Sequence, residues 1–190
     1  FPNFDELPGP RKPEGEGVCV MPIIPDAPER PAAHPILGRP SATWEYSNGH
    51  PLFWVYRFET EGGKEIRPLS LWRHKKGLRW EWRAVPPPRP LYGLDRLTNC
   101  PNAPVVVTEG EKAADAAEQF FPDYVAVTSP GGSNAPDKTN WNPLKGRDVT
   151  VWPDNDLAGY GYAEKVARFV QSAGAVRVKI IQVSEAFPTR

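Results

Sequence analysis

The sequence of 190 residues lacks the features that would place it in a membrane or among disulfide-rich secreted proteins. Its two cysteines, Cys19 and Cys100, lie far apart and do not have the paired spacing of a zinc site or a disulfide framework. No apolar run approaches the roughly 20 residues that a membrane-spanning helix needs, and no signal-peptide pattern opens the chain. These absences exclude a membrane protein and indicate a reducing, cytoplasmic compartment. Because the first residue is Phe1 and not Met, we expect a fragment of a longer protein.

The formal net charge is zero, but the charges are unevenly distributed along the chain. Residues 51–100 hold ten basic and five acidic residues, whereas residues 101–150 hold four basic and seven acidic ones. This imbalance predicts a polyanionic partner for the first stretch and a cation site in the second. With 39% hydrophobic residues and a mean hydropathy of −0.52, the chain can bury one sizeable core and a small second one.

Proline divides the chain into three parts. Ten of the 24 prolines lie in residues 1–40, which predicts an extended arm or linker there, with the apolar stretch 18–24 docked on the body. Residues 41–90 form the second part, a small basic β subdomain, and three consecutive prolines at 86–88 make a stiff boundary near its end. Residues 91–190 form the third part.

The second part is predicted to be antiparallel, with strands near 42–47, 52–60, 64–73 and 78–84 separated by hairpin turn signals. Basic residues there are interleaved with tryptophans, a pattern suited to phosphate contacts and base stacking. The candidate nucleic-acid-binding residues are Arg67, Arg73, Lys75, Lys76, Arg79, Trp80 and Arg83. The alternative is a hairpin whose tryptophan side packs inward while its charged side is merely solvated.

In the third part, short apolar strands alternate with helices, which predicts a parallel α/β sheet. The expected order is a strand at 105–107, a helix at 111–121, strands at 124–128 and 148–152, a helix at 157–173 and a strand at 175–183. The first helix is expected to bury Ala113, Ala116, Ala117 and Phe120.

Three carboxylates follow strands of this predicted sheet. Glu109 follows the first strand, and Asp154 and Asp156 follow the third, two residues apart and so able to face one point if the segment is extended. Converging carboxylates repel one another unless a cation neutralises them, and oxygen ligands of this kind suit Mg²⁺. The alternatives are a capping box made by Thr108 and Glu111, and a simple helix cap at Asp156.

Glycines surround the same carboxylates and could let a backbone approach a metal or phosphate closely. They are Gly110, Gly131, Gly132 and Gly159, and Lys112 lies beside them as a candidate phosphate ligand. Tight turns and a solvated lysine are the alternative explanations.

Two segments resemble the Toprim domain shared by DnaG-type primases, topoisomerases and some nucleases. Residues 108–115 read TEGEKAAD and residues 152–159 read WPDNDLAG, similar to the Glu-Gly and Asp-x-Asp signatures of that domain. The first segment is most similar to primase–helicase proteins of phages and mobile elements. The resemblance covers about residues 90–183 and implies a Toprim-like parallel sheet flanked by helices.

The resemblance implies a DNA primase core that makes short primers on single-stranded DNA from nucleoside triphosphates. Glu109 would be a metal ligand or the general base, and Asp154 and Asp156 would hold one or two Mg²⁺ or Mn²⁺ ions. A replicative helicase domain, in the same or a partner chain, is the expected protein partner.

The sequence also departs from the primase pattern. Ala113 stands where many primases have an Asp, and the third acidic cluster usual after the fourth strand is not seen before Arg190. The alternatives are therefore a Toprim-type nuclease and a non-catalytic module that binds single-stranded nucleic acid.

Overall fold

A computed structural model describes residues 17–132 and 135–182 of the protein. In this part of the chain the strands form two sheets, one antiparallel and one parallel, and helices flank the parallel sheet. No helix in these ranges is long and apolar enough to cross a membrane.

The antiparallel sheet has the strand order β1-β4-β3-β2, with β5 paired to β4. Its strands are β1 (Val18–Cys19), β2 (Ala42–Ser47), β3 (Pro51–Thr60), β4 (Gly63–His74) and β5 (Gly77–Glu81). The four strands predicted for residues 42–84 are confirmed, but the last ends at Glu81 and not at residue 84. The last backbone pair of β4 and β5 joins Ser70 to Glu81. Beyond it the Ser70 hydroxyl donates to the Arg83 carbonyl at 2.6 Å, so a side-chain hydrogen bond replaces backbone pairing between the strands.

Both faces of β3 are buried. Phe53 and Val55 pack on one side, and Trp54, Tyr56 and Phe58 pack on the other. The second face is covered by the proline-rich arm, whose described part is residues 17–40, while residues 1–16 of the predicted arm lie outside the described ranges. The expected docking of the stretch 18–24 is found, because Cys19, Met21 and Ile23 pack against the sheet, although Val18 is 69% exposed.

The parallel sheet has the strand order β7-β6-β8-β9. Its elements are α1 (Leu94–Asn99), β6 (Val105–Thr108), α2 (Glu111–Phe120), β7 (Val125–Val127), β8 (Asp148–Trp152), α3 (Leu157–Ser172) and β9 (Arg177–Ile180). The predicted parallel α/β sheet is confirmed. Strand β9 is shorter than the predicted 175–183, and residue 183 lies outside the described ranges.

The six-residue helix α1 was not predicted, because one and a half turns are too short to show a periodic pattern. Leu97 is buried in the core that α3 also covers. The Arg147 guanidinium donates to the carbonyls of Leu97, Cys100 and Ala103 at 2.6–2.9 Å, which satisfies the end of the helix and the turn after it.

Helix α2 joins the two sheets through its acidic side chains. Glu111 accepts a hydrogen bond from the buried Tyr46 hydroxyl at 2.8 Å. Asp115 accepts one from the Trp44 indole at 2.8 Å and one from the Tyr92 hydroxyl at 2.7 Å. Residues four apart lie on the same side of a helix, so one face of α2 docks on the antiparallel sheet.

This docking corrects the expected buried face of α2. Ala114 and Ala117 are buried together with Glu111, whereas Phe120 is 78% exposed. The helix is rotated from the predicted orientation because its carboxylates, and not only its apolar side chains, have partners in the protein.

We expect Tyr46→Phe to lower the free energy of unfolding by about 1–3 kcal/mol, because it leaves the buried Glu111 carboxyl without its donor. Urea unfolding measures the change, and Tyr124→Phe, at an exposed tyrosine, serves as the matched control. A loss below about 0.5 kcal/mol at Tyr46 would contradict the assigned role of this bond.

The same carboxyl predicts a pH effect. Burial, the largest cause, and the charge of Asp115 raise the pKa of Glu111, so the folded protein holds this proton at pH values where the unfolded chain has released it. The contribution of Glu111 to the free energy of unfolding is therefore present at low pH, and it is lost as pH rises through the raised pKa of this carboxyl. Glu111→Gln does not titrate, so the unfolding free energy of wild type minus that of the variant should fall with rising pH. A flat difference would contradict this sign.

Candidate functional site

A cleft of about 450 Å³ lies between the two sheets. One wall comes from β3, β4 and the segment after β5, and the other from the loops that follow β6, β7 and β8. The lining residues are Trp44, Phe53, Val55, Arg57, Lys64, Ile66, Pro68, Ala84, Val85, Arg89, Glu109, Gly110, Glu111, Lys112, Pro130, Gly131, Gly132 and Asp154. The carboxyl ends of parallel strands, where open α/β sheets gather their ligands, thus face this cleft.

Two of the three predicted carboxylates line the cleft. Glu109 directly follows β6, and Asp154 follows β8 by two residues. Asp156 is instead the N-cap of α3, where its side chain accepts a hydrogen bond from the Gly159 amide at 2.7 Å. Within the described ranges no group of three or more His, Cys, Asp and Glu side chains is arranged to hold a metal.

The expected convergence of three carboxylates is therefore wrong, and the capping alternative is right for Asp156. The expectation assumed an extended segment, but the Asp156 amide donates to the Asp154 carbonyl at 2.9 Å, which turns the chain between them. Gly159 belongs to this turn and not to the lining of the cleft. It is buried, and a Cβ atom there would overlap the Asp154 backbone.

The capping box proposed for Thr108 and Glu111 is not formed. The N-cap of α2 is Gly110, with φ +106° and no side-chain cap, while Glu111 binds Tyr46. A positive φ of this size favours glycine, so Gly110 is required by the turn that brings Glu109 to the cleft.

Buried hydroxyls below the cleft fix this turn. Thr128 accepts from the Gly110 amide at 2.9 Å and donates to the Thr108 carbonyl at 2.7 Å. Beside them, Ser129 and Tyr162 share a hydrogen bond of 2.9 Å. Burial, the largest cause, raises the pKa of Tyr162, and the charge of Glu109 adds to the shift, so this phenol stays neutral.

None of these hydroxyl residues was singled out as a site residue from the sequence. The available indication of a role at the site was their position: Thr128 and Ser129 directly follow β7, and Tyr162 lies near the start of α3. It was not sufficient, because the hydroxyls bind backbone atoms of a segment about 20 or more residues away.

We expect Thr128→Val to lower the free energy of unfolding by about 1–3 kcal/mol, because it leaves the Gly110 amide and the Thr108 carbonyl without the hydroxyl. Thr128→Ser keeps the hydroxyl and is the matched control. Amide hydrogen exchange at Gly110 should quicken in the valine variant alone. Equal exchange in both variants would show that this hydroxyl does not hold the turn.

Four cations line the cleft together with the carboxylates. Lys112 was predicted, whereas Arg57 and Lys64 on the antiparallel sheet and Arg89 on the connecting segment were not. Arg57 was missed because nothing in the sequence shows which face of the doubly buried strand β3 will line a cleft.

Arg89 is held by its backbone and by one side-chain nitrogen. Its amide donates to Lys138 at 2.7 Å, its carbonyl accepts from Asn140 at 2.8 Å, and Nε donates to the Val85 carbonyl at 3.0 Å. A Cβ atom at Gly131 would lie 3.2 Å from a terminal nitrogen of the guanidinium, so this group lies against the turn at Gly131 and Gly132. Both glycines line the cleft with positive φ, of +100° and +65°.

The seven predicted nucleic-acid-binding residues do not share one face. In the sheet register Arg67 pairs with Tyr56 and Arg73 with Leu78, so both arginines lie on the face opposite the cleft, and Lys75 and Lys76 form the turn between β4 and β5. Arg79 and Arg83 lie near Trp72, where both pair with Glu81.

Trp80 is half-buried beneath the arm. Its indole donates to the Pro28 carbonyl at 2.8 Å, and its ring meets that of Trp54 edge-on at 5.5 Å. The inward-packing alternative therefore describes this tryptophan better than an open stacking surface does.

Fold and site together define an α/β protein with a mixed-charge cleft at the carboxyl edge of a parallel sheet. Residues 53–155 match the family described as a domain of unknown function (DUF6371), and the chain belongs to that family. The matched region begins in β3 and ends just after Asp154, so it contains both walls of the cleft and every lining residue except Trp44.

No curated protein matches the sequence. A solved structure titled "Structure of the DnaG catalytic core" is similar to this chain at 14% identity and a TM-score of 0.35. The similarity covers 71% of this chain and 47% of the other, so this chain spans about half the length of that structure. A likeness this low carries no argument about activity.

Proposed function

We propose that the protein is a Toprim-like nucleotidyltransferase of the primase type, which makes short primers on single-stranded DNA in the cytoplasm. The observation that carries the proposal is the cleft itself, which is lined by two carboxylates that follow parallel strands and by four basic side chains. The similarity of residues 108–115 and 152–159 to the Toprim signatures, and to primase–helicase proteins of phages and mobile elements, supports it.

The carboxylates fit a magnesium ion that arrives with phosphate. Mg²⁺ is usually held by one or two carboxylates together with substrate phosphates, and not by an all-protein cage. Glu109 and Asp154 would hold it, whereas Asp156 would act only through the start of α3. When bound, Mg²⁺ or Mn²⁺ supplies charge neutralisation at the phosphates.

The basic side chains would bind and orient the triphosphate. Arg89 and Lys112 line the cleft with the carboxylates, and Lys64 and Arg57, which pairs with Glu59 at 2.7 Å, lie on the sheet wall. Gly110, Gly131 and Gly132 would let the backbone approach the phosphates. In the reaction a bond forms between the primer 3′ oxygen and the α-phosphorus, the bond to pyrophosphate breaks, and the hydroxyl proton leaves to water.

The partners in this proposal are a single-stranded DNA template, nucleoside triphosphates and a replicative helicase domain. Lys75 and Lys76, in the turn between β4 and β5, and Arg73, on β4 just before that turn, are exposed and would contact the template. Arg67, Arg79 and Arg83 would contribute charge from the flanking strands, and Trp80 could stack on a base only if the arm moved.

A second candidate is a non-catalytic module that binds single-stranded nucleic acid. It is favoured by one observation, the use of Asp156 as a helix cap, which leaves two carboxylates for a metal. A Toprim-type nuclease would use the same two carboxylates with water in place of the primer hydroxyl.

The two neighbouring aspartates provide a matched test. We expect Asp154→Asn to lower primer synthesis by about 100-fold or more, since it removes a charge that binds the metal. Asp156→Asn should keep most activity, because Asn caps a helix about as well as Asp. The measurement is incorporation of a labelled nucleoside triphosphate on single-stranded DNA with Mg²⁺.

Equal losses in the two variants would contradict the two-carboxylate site and return Asp156 to the metal. Two outcomes would contradict the proposed primase activity. Metal-dependent shortening of the template without incorporation would identify a nuclease. Template binding with neither activity would identify the binding module.

A further inference from the structure

The proline-rich arm turns back on itself at residues 34–38, where it packs on the antiparallel sheet. His34 and Gly38 exchange two backbone hydrogen bonds, of 2.8 Å and 3.0 Å, and Gly38 has a φ of +73°. Inside this loop, Nδ1 of His34 accepts hydrogen bonds from the amides of Ile36 and Leu37, each at 3.1 Å. One ring nitrogen therefore holds two amides of the loop.

The same imidazole anchors the loop to the sheet. Its ring lies 4.7 Å from the ring of Trp82, at an interplanar angle of 59°, and it meets the ring of Phe58 edge-on at 5.7 Å. Leu37 also packs against the buried cluster that contains Phe58. The conformation of the loop and its contact with the sheet thus depend on one side chain.

This part of the arm is held by side chains more than by its backbone. The amides of Ile23 and Ser41 donate to the sheet at 2.8 Å, and in the described part of the chain no backbone hydrogen bond joins arm and sheet between these two points. Between them, the Arg30 guanidinium lies over the Trp54 ring at 4.6 Å, and the His34 ring packs against the sheet. Loss of the His34 contacts can therefore free the loop without breaking strand pairing.

Nδ1 of His34 can accept these hydrogen bonds only while it carries no proton. In neutral imidazole one nitrogen donates and the other accepts, whereas both nitrogens donate in the protonated ring. We propose that His34 is a pH-sensitive latch: the loop at 34–38 stays on the sheet while the imidazole is neutral, and protonation releases it. Release uncovers the Trp82 ring and removes Leu37 from the sheet. The latch does not depend on the proposed function.

The charged groups that face the imidazole come from β4 and from the arm itself. Glu65 and Arg67 lie on the face of β4 that the arm covers, since they pair with Phe58 and Tyr56, and they form an ion pair with each other. Strand β3 presents the uncharged rings of Phe58 and Tyr56, and the segment after β5 presents an indole. On the arm, Arg30 lies over the Tyr56 ring at 5.6 Å.

These surroundings favour the neutral imidazole. Burial, the largest cause, and the charge of Arg67 lower the pKa of His34 from its ordinary value of 6.5, and Glu65 opposes them. The closed loop therefore binds a proton less readily than an open loop in which the imidazole is solvated. Closure is favoured above about pH 6.5 and weakens below it, by up to about tenfold per pH unit, until the closed form is itself protonated.

Amide hydrogen exchange on the full chain measures opening of the loop. Protection factors, each referred to the unstructured rate at the same pH, are compared at about pH 7.5 and about pH 5. We expect those of the Ile36 and Leu37 amides to fall by about threefold or more in acid. The Val106 amide, in the buried strand β6, should stay protected at both pH values.

Two substitutions at His34 separate the hydrogen bonds from the ring. His34→Asn places an amide oxygen near the position of Nδ1 and does not titrate, so protection at Leu37 should be the same at both pH values. His34→Phe keeps a ring beside Trp82 but has no acceptor, so protection should be low at both. His50→Asn, at an exposed histidine between β2 and β3, is the matched control and should behave as the wild type.

Three results would overturn the latch. Equal protection of Ile36 and Leu37 at the two pH values in the wild type would show that protonation does not open the loop. A fall in His34→Asn as large as that in the wild type would assign the acid effect to another group, such as Glu65. Loss of protection at Val106 as well would show unfolding of the whole protein in place of local release.

Discussion

The docking of α2 on the antiparallel sheet is the interaction on which the rest of the structure depends. Two carboxylates on one helix face accept hydrogen bonds from three aromatic side chains, those of Tyr46, Trp44 and Tyr92. Because α2 begins directly after Gly110, the same contacts fix the distance between the sheet wall and the carboxyl end of β6. Helix α2 therefore joins the antiparallel sheet to the parallel sheet, and the cleft is the space beside this contact.

Acidic residues in this protein have different roles although their sequence context is similar. Glu111 and Asp115 accept hydrogen bonds from aromatic side chains, Asp156 caps a helix, and Glu109 and Asp154 line the cleft together with Glu111. Local geometry decides among these roles. A carboxylate one residue before or after a glycine turn can face either the protein or the solvent, and the residues it meets come from distant parts of the chain.

The sequence predicted the elements better than it predicted their faces. Unbroken apolar runs such as that of β6 identify buried parallel strands, and turn glycines identify the hairpins, because both depend on local chemistry. The face of β3 that lines the cleft could not be predicted, since both faces are apolar over residues 52–56. Arg89 was missed for a related reason: its position is set by backbone hydrogen bonds to residues 138 and 140, about 50 residues away.

The balance of charge in the cleft bears on how a metal and a phosphate would bind there. Four cations and three carboxylates line the cleft, and among them Arg57 pairs with Glu59 at 2.7 Å while Glu111 accepts from Tyr46, so the formal charges of the cleft nearly balance. Two carboxylates also leave most of the octahedral sites of Mg²⁺ to water or phosphate oxygens. On the proposed function, the metal and the triphosphate would each improve the binding of the other. The phosphates would complete the coordination of the metal, and the metal would offset the repulsion between the phosphates and the carboxylates. The loss of Asp156 to a helix cap is compatible with such a site, since the missing ligand is one that the substrate itself can supply.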